Sequence, residues 1–304
     1  MGDTFCASPT LKRLYYAYNQ KINVVTYNTQ VFKNNPYAQR LLSFDEFSKI
    51  NTNKDIEILD SFVLAGQRNQ FGMERKFSHV DLRQTHANDL GFQLFREEMC
   101  CDFFPDRQLK LNIILPKLYV VLHVTKNWAN RTWDKNNWKQ IIDYCESVGV
   151  FVVLVGQDYT ENNAHLFLNK KCESLEINNG LDLTNQGDLS DLWHIINGGK
   201  LIVTMDSGPL HIAGTTDAFI LQLGSAKDPR FSAPYRNGTQ NYKYFYISGN
   251  CDVFCNTNLK YSVKEWGTIN AVPPLHKCLE NKPTFECHPT PEKVIQYINQ
   301  VLCL

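Results

Sequence analysis

No apolar run in the sequence approaches the roughly 18 residues that a membrane-crossing helix requires. The longest, LYVVLHV and VGVFVVLVG, are strand-sized. An excess of either charge is also missing, since 31 basic and 31 acidic residues cancel. No basic stripe therefore marks an electrostatic nucleic-acid binder. The opening MGDTFCASPTLKRL lacks a basic segment followed by an apolar core, so it is not read as a secretory signal. Repeats and low-complexity tracts are absent too. These absences predict a cytoplasmic chain, whose ten cysteines are reduced thiols or metal ligands.

What is present suits a globular protein of one large domain or two ordinary ones: 304 residues, 43% hydrophobic and 20% charged. SPTLKRLYYAYNQ reads as a helix, with Ser8 as its cap, Pro9 in the first turn, and Leu11, Leu14, Tyr15 and Tyr18 on one face. KINVVTYN reads as a strand. Residues 30 to 110 mix short helix and strand signals, and a hinge is expected near LNIILPK. Beyond Pro116 the pattern is regular. The strands LYVVLHVT, VFVVLVG, LIVTM and AFILQLG alternate with the helices NNWKQIIDYCESVG, GDLSDLWHIINGG and PLHIAGTT, and TPEKVIQYINQVL closes the chain as a capped helix. Strands apolar throughout, alternating with amphipathic helices, indicate a parallel sheet covered on both faces. The fold class is α/β, with domains expected at 1–114 and 115–304.

Ligands of open parallel sheets bind beyond the carboxyl ends of the strands. LIVTMDSGPLHIAG places Asp206, Ser207 and Gly208 at such an end, where a helix start offers free N–H groups to a phosphate, and His211 lies one turn further on. Taken alone, these residues fit equally a helix cap and an interior histidine. A second strand runs into HVTKNWANRTW, which sets Thr125, Lys126, Asn130 and Arg131 beyond its end, either for the same anion or as a solvated loop. A third ends in VGQDYTE, offering Gln157, Asp158 and Glu161 to a ribose or base.

In order along the chain, MGDTFCASPTLKRL, VLHVTKNWANRTW, VVLVGQ, LWHIINGGKLIVTMDSGPLHIAG and LQLGSAKDPRFSAPY resemble glycosyltransferase family 9, the heptosyltransferase-like enzymes. The resemblance implies the GT-B fold, two Rossmann-like domains facing across a cleft. The first would be shortened here, because the strand the family places before its G-D would have to precede Met1. It implies transfer of a sugar from a nucleotide-diphosphate-sugar to a hydroxyl, with no metal needed for transfer. Asp206, Ser207, Gly208 and His211 match the motif that holds the donor's diphosphate and sugar. Arg131 falls where the family has a basic phosphate-binding residue, and Asp3 where it has the carboxylate proposed as general base. The 1–114 domain would then serve the acceptor and 115–304 the donor. HVDLRQTHANDLGF is outside the common pattern; its Asp81, Arg83, Gln84 and His86 are either acceptor contacts or a polar helix face.

Cys251, Cys255, Cys278 and Cys287 form a cysteine-rich segment at 251–287. A tetrahedral thiolate site for zinc or iron, two disulfides, or four unrelated thiols would each fit, and a reducing compartment favours metal. Some protein heptosyltransferases of the family look similar there, with a four-cysteine iron site. Cys6, Cys100, Cys101, Cys145, Cys172 and Cys303 read as small core residues or spare thiols. The acceptor is open among glycan, glycoprotein and modified nucleic acid, and the cysteine segment could serve a homo-oligomer contact. Two rival functions use the same architecture: a nucleotide-sugar 2-epimerase, which acts on the donor alone, and a non-catalytic sugar-nucleotide or glycan-binding protein.

Overall fold

The computed structural model describes residues 2–50, 81–124, 129–158, 172, 174–236, 242–256, 260 and 277–304. On the N-terminal side, α1 (Gly2–Cys6) and α2 (Ser8–Tyr18) precede β1 (Ile22–Val25), β2 (Ala38–Leu42), α3 (Phe44–Ser48) and α4 (Leu82–Asp89). Here β1 and β2 pair in parallel as a two-stranded sheet. The rest of the chain alternates: β3 (Tyr119–His123), α5 (Lys135–Ser147), β4 (Phe151–Val155), β5 (Gly180–Asp182), α6 (Leu189–Gly198), β6 (Leu201–Thr204), α7 (Gly208–Ala213), β7 (Phe219–Leu223), β8 (Tyr244–Ile247) and α8 (Pro291–Leu302).

Those six strands form one sheet in the order β5-β4-β3-β6-β7-β8, every neighbouring pair parallel. In chain order this is 3-2-1-4-5-6, the doubly wound arrangement of dinucleotide-binding sheets. Side chains alternate across each strand, so both faces must be covered. On one face, Val120, Leu122, Val152, Leu154 and Val203 pack under Trp138, Ile141 and Ile142 of α5 and Val294 and Ile298 of α8. On the other, Val121, Val153 and Ile202 meet Ile195 and Ile196 of α6 and Leu210 of α7.

The helical stripe expected from NNWKQIIDYCESVG is the one buried, including Cys145. Helix α5 starts where Asp134 accepts a hydrogen bond from the Asn136 N–H at 2.8 Å. Two short strands, GLD and YFYI, escaped the sequence reading; they are the two edges of the sheet.

At the start of the chain the expected cap is displaced. Ala7, not Ser8, occupies the N-cap of α2. The Ser8 hydroxyl is buried, donating to the Phe5 carbonyl at 2.8 Å and accepting from the Asp102 N–H at 2.9 Å. It therefore ties α1 to the 100–102 segment. Phe5 and Leu11 join the sheet's second core, so the N-terminal helices lie against the doubly wound half.

The far end of β8 runs into a backbone ladder with the segment that carries Cys287. The N–H groups of Gly249 and Asn250 donate to the carbonyls of Cys287 and Glu286, at 2.9 and 2.7 Å. A Cβ on Gly249 would lie 2.0 Å from the Glu286 carbonyl oxygen and 2.2 Å from that of His288. Backbone cannot yield as a side-chain tip can. Gly249→Ala is expected to cost about 2 kcal/mol, the order of an overpacked site, read as a lowered urea midpoint.

Candidate functional site

Strands β3 and β6 are neighbours, but their connections leave in opposite directions, one toward β4 and the other toward β7. A crevice therefore opens outside their carboxyl ends. His123 ends β3, and Met205, Asp206 and Ser207 follow β6. The D-S-G motif thus lies at the point where the sheet topology creates a binding crevice.

Asp206 is only 2% exposed. An ionised carboxylate at such a place needs cations beside it. Arg131 Nη2 lies 3.3 Å from Asp206 Oδ2, and Lys227 Nζ lies 3.5 Å from the same oxygen. Arg131 also donates to the Asp206 carbonyl at 3.4 Å. Burial pushes the Asp206 carboxyl up, but Arg131, then Lys227 and His211, hold it below the ordinary carboxylate range. Lys227, in GSAKDPRF, was missed by the sequence reading, because a lysine in a loop carries no local signal. The structure brings it to the same carboxylate as Arg131.

Ser207 is the N-cap of α7 without making a side-chain cap. Its hydroxyl instead turns inward, donating to the Met205 carbonyl at 3.1 Å, with His123 Nδ1 at 3.3 Å. His123 Nδ1 also meets Thr204 Oγ1 at 3.0 Å. Ser207 therefore braces the motif from below. Helix α7 is six residues long, so what it offers an anion is its first N–H groups rather than a helix dipole.

His211 lies on α7, 3% exposed. Burial lowers both His123 and His211 to about 4, which leaves each imidazole neutral at pH 7. His211 can donate an N–H to an anion, but it brings no charge. Cys6 Sγ lies 3.7 and 3.9 Å from its two ring nitrogens. Cys6 also raises a question about Cys101: a hydrogen bond from Cys6, and then Arg83, lower the Cys101 thiol despite its burial.

Asp3 sits exposed in the first turn of α1, close to the motif. A Cβ on its neighbour Gly2 would lie 3.3 Å from His211 Cδ2 and 3.5 Å from the Gly208 nitrogen. Helix α4 supports α1 from behind. His86 Nε2–H donates to the Asp3 carbonyl at 3.0 Å, which sets the tautomer of this imidazole.

The other residues of HVDLRQTHANDLGF are also committed. Asp81 caps α4 through the Arg83 N–H at 2.9 Å and accepts from Arg83 Nε at 2.7 Å. Arg83, 1% exposed, reaches the Ala233 carbonyl at 2.7 Å and stacks 4.5 Å over Tyr235. Gln84 holds the following turn through the Leu94 N–H at 3.0 Å and the Phe92 carbonyl at 3.2 Å. Asp81, Arg83 and His86 form a buried tie between the two halves of the chain, not the solvated polar face that the sequence allowed.

Gln157 and Asp158 follow β4 beside the crevice. Asp158 binds the backbone of its own loop, accepting from the Cys172 N–H at 2.7 Å, and its N–H donates to Asn185 Oδ1 at 2.7 Å. Gln157 is exposed. Thr125, Lys126 and Glu161 lie outside the described residues.

All ten cysteines are free thiols, so the disulfide alternative is absent from this structure. Cys251, Cys255, Cys278 and Cys287 line one small cavity of about 10 Å³, together with Phe254 and Phe285. Burial, reinforced by the neighbouring cysteines, pushes the thiols of Cys255 and Cys287 up to about 12.

The two neutral histidines at the crevice set a pH dependence. The unfolded chain takes up their protons below about 6.5, whereas the folded chain refuses them until about 4. Their contribution to stability is complete above pH 6.5 and is lost as the pH falls toward 4. The urea midpoint is expected to drop steadily over this window, and the drop to be shallower in His123→Gln. A midpoint flat from pH 7 to 4 contradicts this account.

With that geometry in place, three comparisons bear on the chain. Residues 45–251 match the profile of glycosyltransferase family 9 (heptosyltransferase). Lipopolysaccharide heptosyltransferase 3 of Escherichia coli (strain K12) is 24% identical over 198 residues, covering 60% of this chain and 56% of its own length. The chain thus spans little more than half the length of that curated relative. Among solved structures, the iron-containing dodecameric glycosyltransferase TibC from enterotoxigenic E. coli H10407 superposes with a TM-score of 0.66 at 13% identity, covering 100% of this chain and 74% of TibC. E. coli ADP-heptose lps heptosyltransferase II gives 0.57 at 13% identity, covering 99% and 96%. These likenesses show a shared fold, GT-B. Here one sheet has the six-stranded doubly wound order, and the N-terminal side amounts, among the described residues, to a two-stranded sheet with flanking helices. The family profile takes in well over half the sequence, including the D-S-G motif and the cations around it, and the chain belongs to glycosyltransferase family 9.

Proposed function

We propose that this protein transfers a sugar from a nucleotide-diphosphate-sugar to a hydroxyl acceptor, in the cytoplasm. The observation that carries the reading is the buried Asp206 between Arg131 and Lys227, set at the switch point of a 3-2-1-4-5-6 sheet. Two cations and one anion leave a net positive charge where a diphosphate would lie. TibC has been crystallised with ADP-D-beta-D-heptose, and an ADP-heptose donor is the first to test. Residues 115–304 would hold the donor and 1–114 would face the acceptor, whether glycan, glycoprotein or modified nucleic acid.

Transfer needs a base for the acceptor hydroxyl and stabilisation of the departing diphosphate. Asp3 is the base in this reading: it is exposed on α1, and α1 abuts the start of α7 through Gly2. Arg131 and Lys227 take up the charge that develops on the leaving group. Gly208 leaves room for close approach, the N–H of His211 adds a neutral donor, and Gln157 is placed for the nucleoside. Thr125, Lys126 and Glu161 are assigned to the same side on sequence alone. His86 positions Asp3 through its carbonyl, and Arg83, Asp81 and Gln84 hold the helix that carries His86.

The four C-terminal cysteines are read as one structural metal site, for zinc or iron, away from the crevice and placed to stiffen an oligomer contact. Their chemistry fits: four thiols face one cavity, and those of Cys255 and Cys287 are held protonated by burial and then by neighbouring cysteines, a repulsion that a dication relieves. A closed tetrahedral site draws its sulfurs to roughly 3.8 Å of one another. Among the described residues no three of these sulfurs come within 4.8 Å, so loading the site must pull them inward.

Donor binding is tested by thermal shift with ADP-heptose, since a ligand that binds the native state raises the midpoint by mass action. Asp206→Asn keeps the shape but removes the carboxylate that positions Arg131 and Lys227, and is expected to weaken the shift through lost positioning and to lower stability. Asp3→Asn should cut kcat by about 10²–10⁴ with the donor shift intact. Donor cleavage or isomerisation at the wild-type rate without acceptor would favour an epimerase instead. A donor shift with no turnover on any acceptor would favour a binding protein.

The metal reading predicts that Cys255→Ser loses about one thiolate-bound ion per chain relative to the wild type, read by elemental analysis. Equal metal content in the two proteins removes it.

A further inference from the structure

A second group of metal-ligating atoms lies at the crevice itself. Cys6 Sγ, Cys101 Sγ and a ring nitrogen of His211 all come within 4.8 Å of one another. They arrive from three separate elements: α1, the segment after α4, and α7. We propose that Cys6, Cys101 and His211 form a binding site for a soft divalent transition ion of the zinc type, joining α1 to α7. The proposal is independent of the transfer reading, because it concerns what these three side chains bind, not what the protein catalyses.

Three observations carry it. Two sulfurs and an imidazole are the donor set of zinc rather than of magnesium or calcium, which seek oxygen. The spacing is near what ligation needs, because a tetrahedral ion at about 2.0–2.3 Å from each donor sets its ligands roughly 3.5–3.8 Å apart. Cys6 Sγ is already 3.7 Å from His211 Nδ1.

The third observation is the poor hydrogen bonding of His211. Buried imidazoles are normally held by a carboxylate, a carbonyl or water. Among the described residues, the polar partner of the buried His211 ring is the Cys6 thiol, a weak donor and a weak acceptor. A metal ion would satisfy the ring and both sulfurs together.

Charge also permits it. The crevice already holds Arg131 and Lys227, so a bare cation there would be repelled. Two thiolates cancel a divalent charge, and the loaded site adds none. Arg83 stands near both thiols, and its own charge is taken up by Asp81. Three protein ligands leave a fourth coordination position open. A bound ion would hold α1, and Asp3 with it, against the helix that follows the D-S-G motif. It would take the lone pair of His211 and leave the other ring nitrogen's N–H to an anion. The site is thus built to couple metal supply to the state of the crevice.

Cobalt(II) is the probe, because tetrahedral thiolate–cobalt complexes absorb visibly and report on ligand type. The test uses the full chain carrying Cys251→Ser and Cys255→Ser, which disables the C-terminal cysteines. This protein is expected to bind about one cobalt per chain with a thiolate charge-transfer band. Cys101→Ser and His211→Gln, each added to that background, should weaken binding by at least about tenfold. Circular dichroism checks the fold of each variant. Should His211→Gln not fold, Cys101→Ser carries the test, because it is the smaller change at a less buried side chain.

A folded background protein without the band, with Cys6 and Cys101 both shown to be free thiols, overturns the proposal. So does a disulfide between Cys6 and Cys101, identified by peptide mapping of the unreduced protein, since it would consume the ligands. ADP-heptose binding, measured after chelation, separates the two readings: it can fail while cobalt binds, or persist when cobalt does not.

Discussion

A carboxylate buried at the end of an apolar strand cannot stand without cations, and much of this structure follows from providing them to Asp206. Leaving such a charge uncompensated would cost several kcal/mol. The strand that delivers it, LIVT, is wholly buried between two helical layers, so water cannot do the work. Arg131 comes from the loop after β3 and Lys227 from the loop after β7, the strands on either side of β6. Three consecutive strand ends are thereby drawn to one point. The 129–133 loop is anchored behind them by Trp133, whose indole N–H donates to the Pro289 carbonyl at 3.0 Å. Position, charge and rigidity thus have a common origin in one buried oxygen.

A similar argument runs through the N-terminal half, with the signs exchanged. Arg83 is a guanidinium in the interior, balanced by Asp81 and by the Ala233 carbonyl. Its burial joins α4 to the 229–236 segment, and α4 in turn supports α1 through His86 and the Asp3 carbonyl. A crevice between two parts of a chain needs its walls held at a fixed distance. Buried polar ties do this with more directional control than apolar contact, because each atom must find its partner.

The doubly wound half was legible in the sequence because its physics is local. Buried parallel strands must be apolar throughout, and amphipathic helices must show a stripe, so VFVVLV and NNWKQIIDYC announce themselves. GLD and YFYI were not legible, since edge strands need less burial and carry less signal. Asp206 and Arg131 could be picked out from motif and resemblance, but Lys227 could not. What makes it part of the site is the spatial order of β6 and β7, not its neighbours in the sequence. HVDLRQTHANDLGF shows a limit of another kind: the sequence left its polar residues as acceptor contacts or a polar helix face, and the structure shows Asp81, Arg83 and His86 buried and bonded within the protein. Polarity in a sequence does not say whether the partner is solvent, ligand or the protein itself.

The charges at the crevice are arranged around an anion still to arrive. Its two histidines are neutral, because burial outweighs the pull of Asp206 on His211. Asp206 offsets one of its two cations and leaves the other. If both histidines were protonated, the empty crevice would hold four positive charges against one carboxylate, and folding would have to oppose their repulsion. Keeping them neutral lets the empty protein remain stable. One net positive charge and a cluster of N–H groups are enough to attract a diphosphate, whose own charge would then raise the proton affinity of His211. The same neutrality leaves His211 free to ligate a metal, since only an unprotonated ring nitrogen can do so. A neutral imidazole has one lone pair for a metal and one N–H for a diphosphate, and the burial that keeps it neutral is what makes both uses open to it.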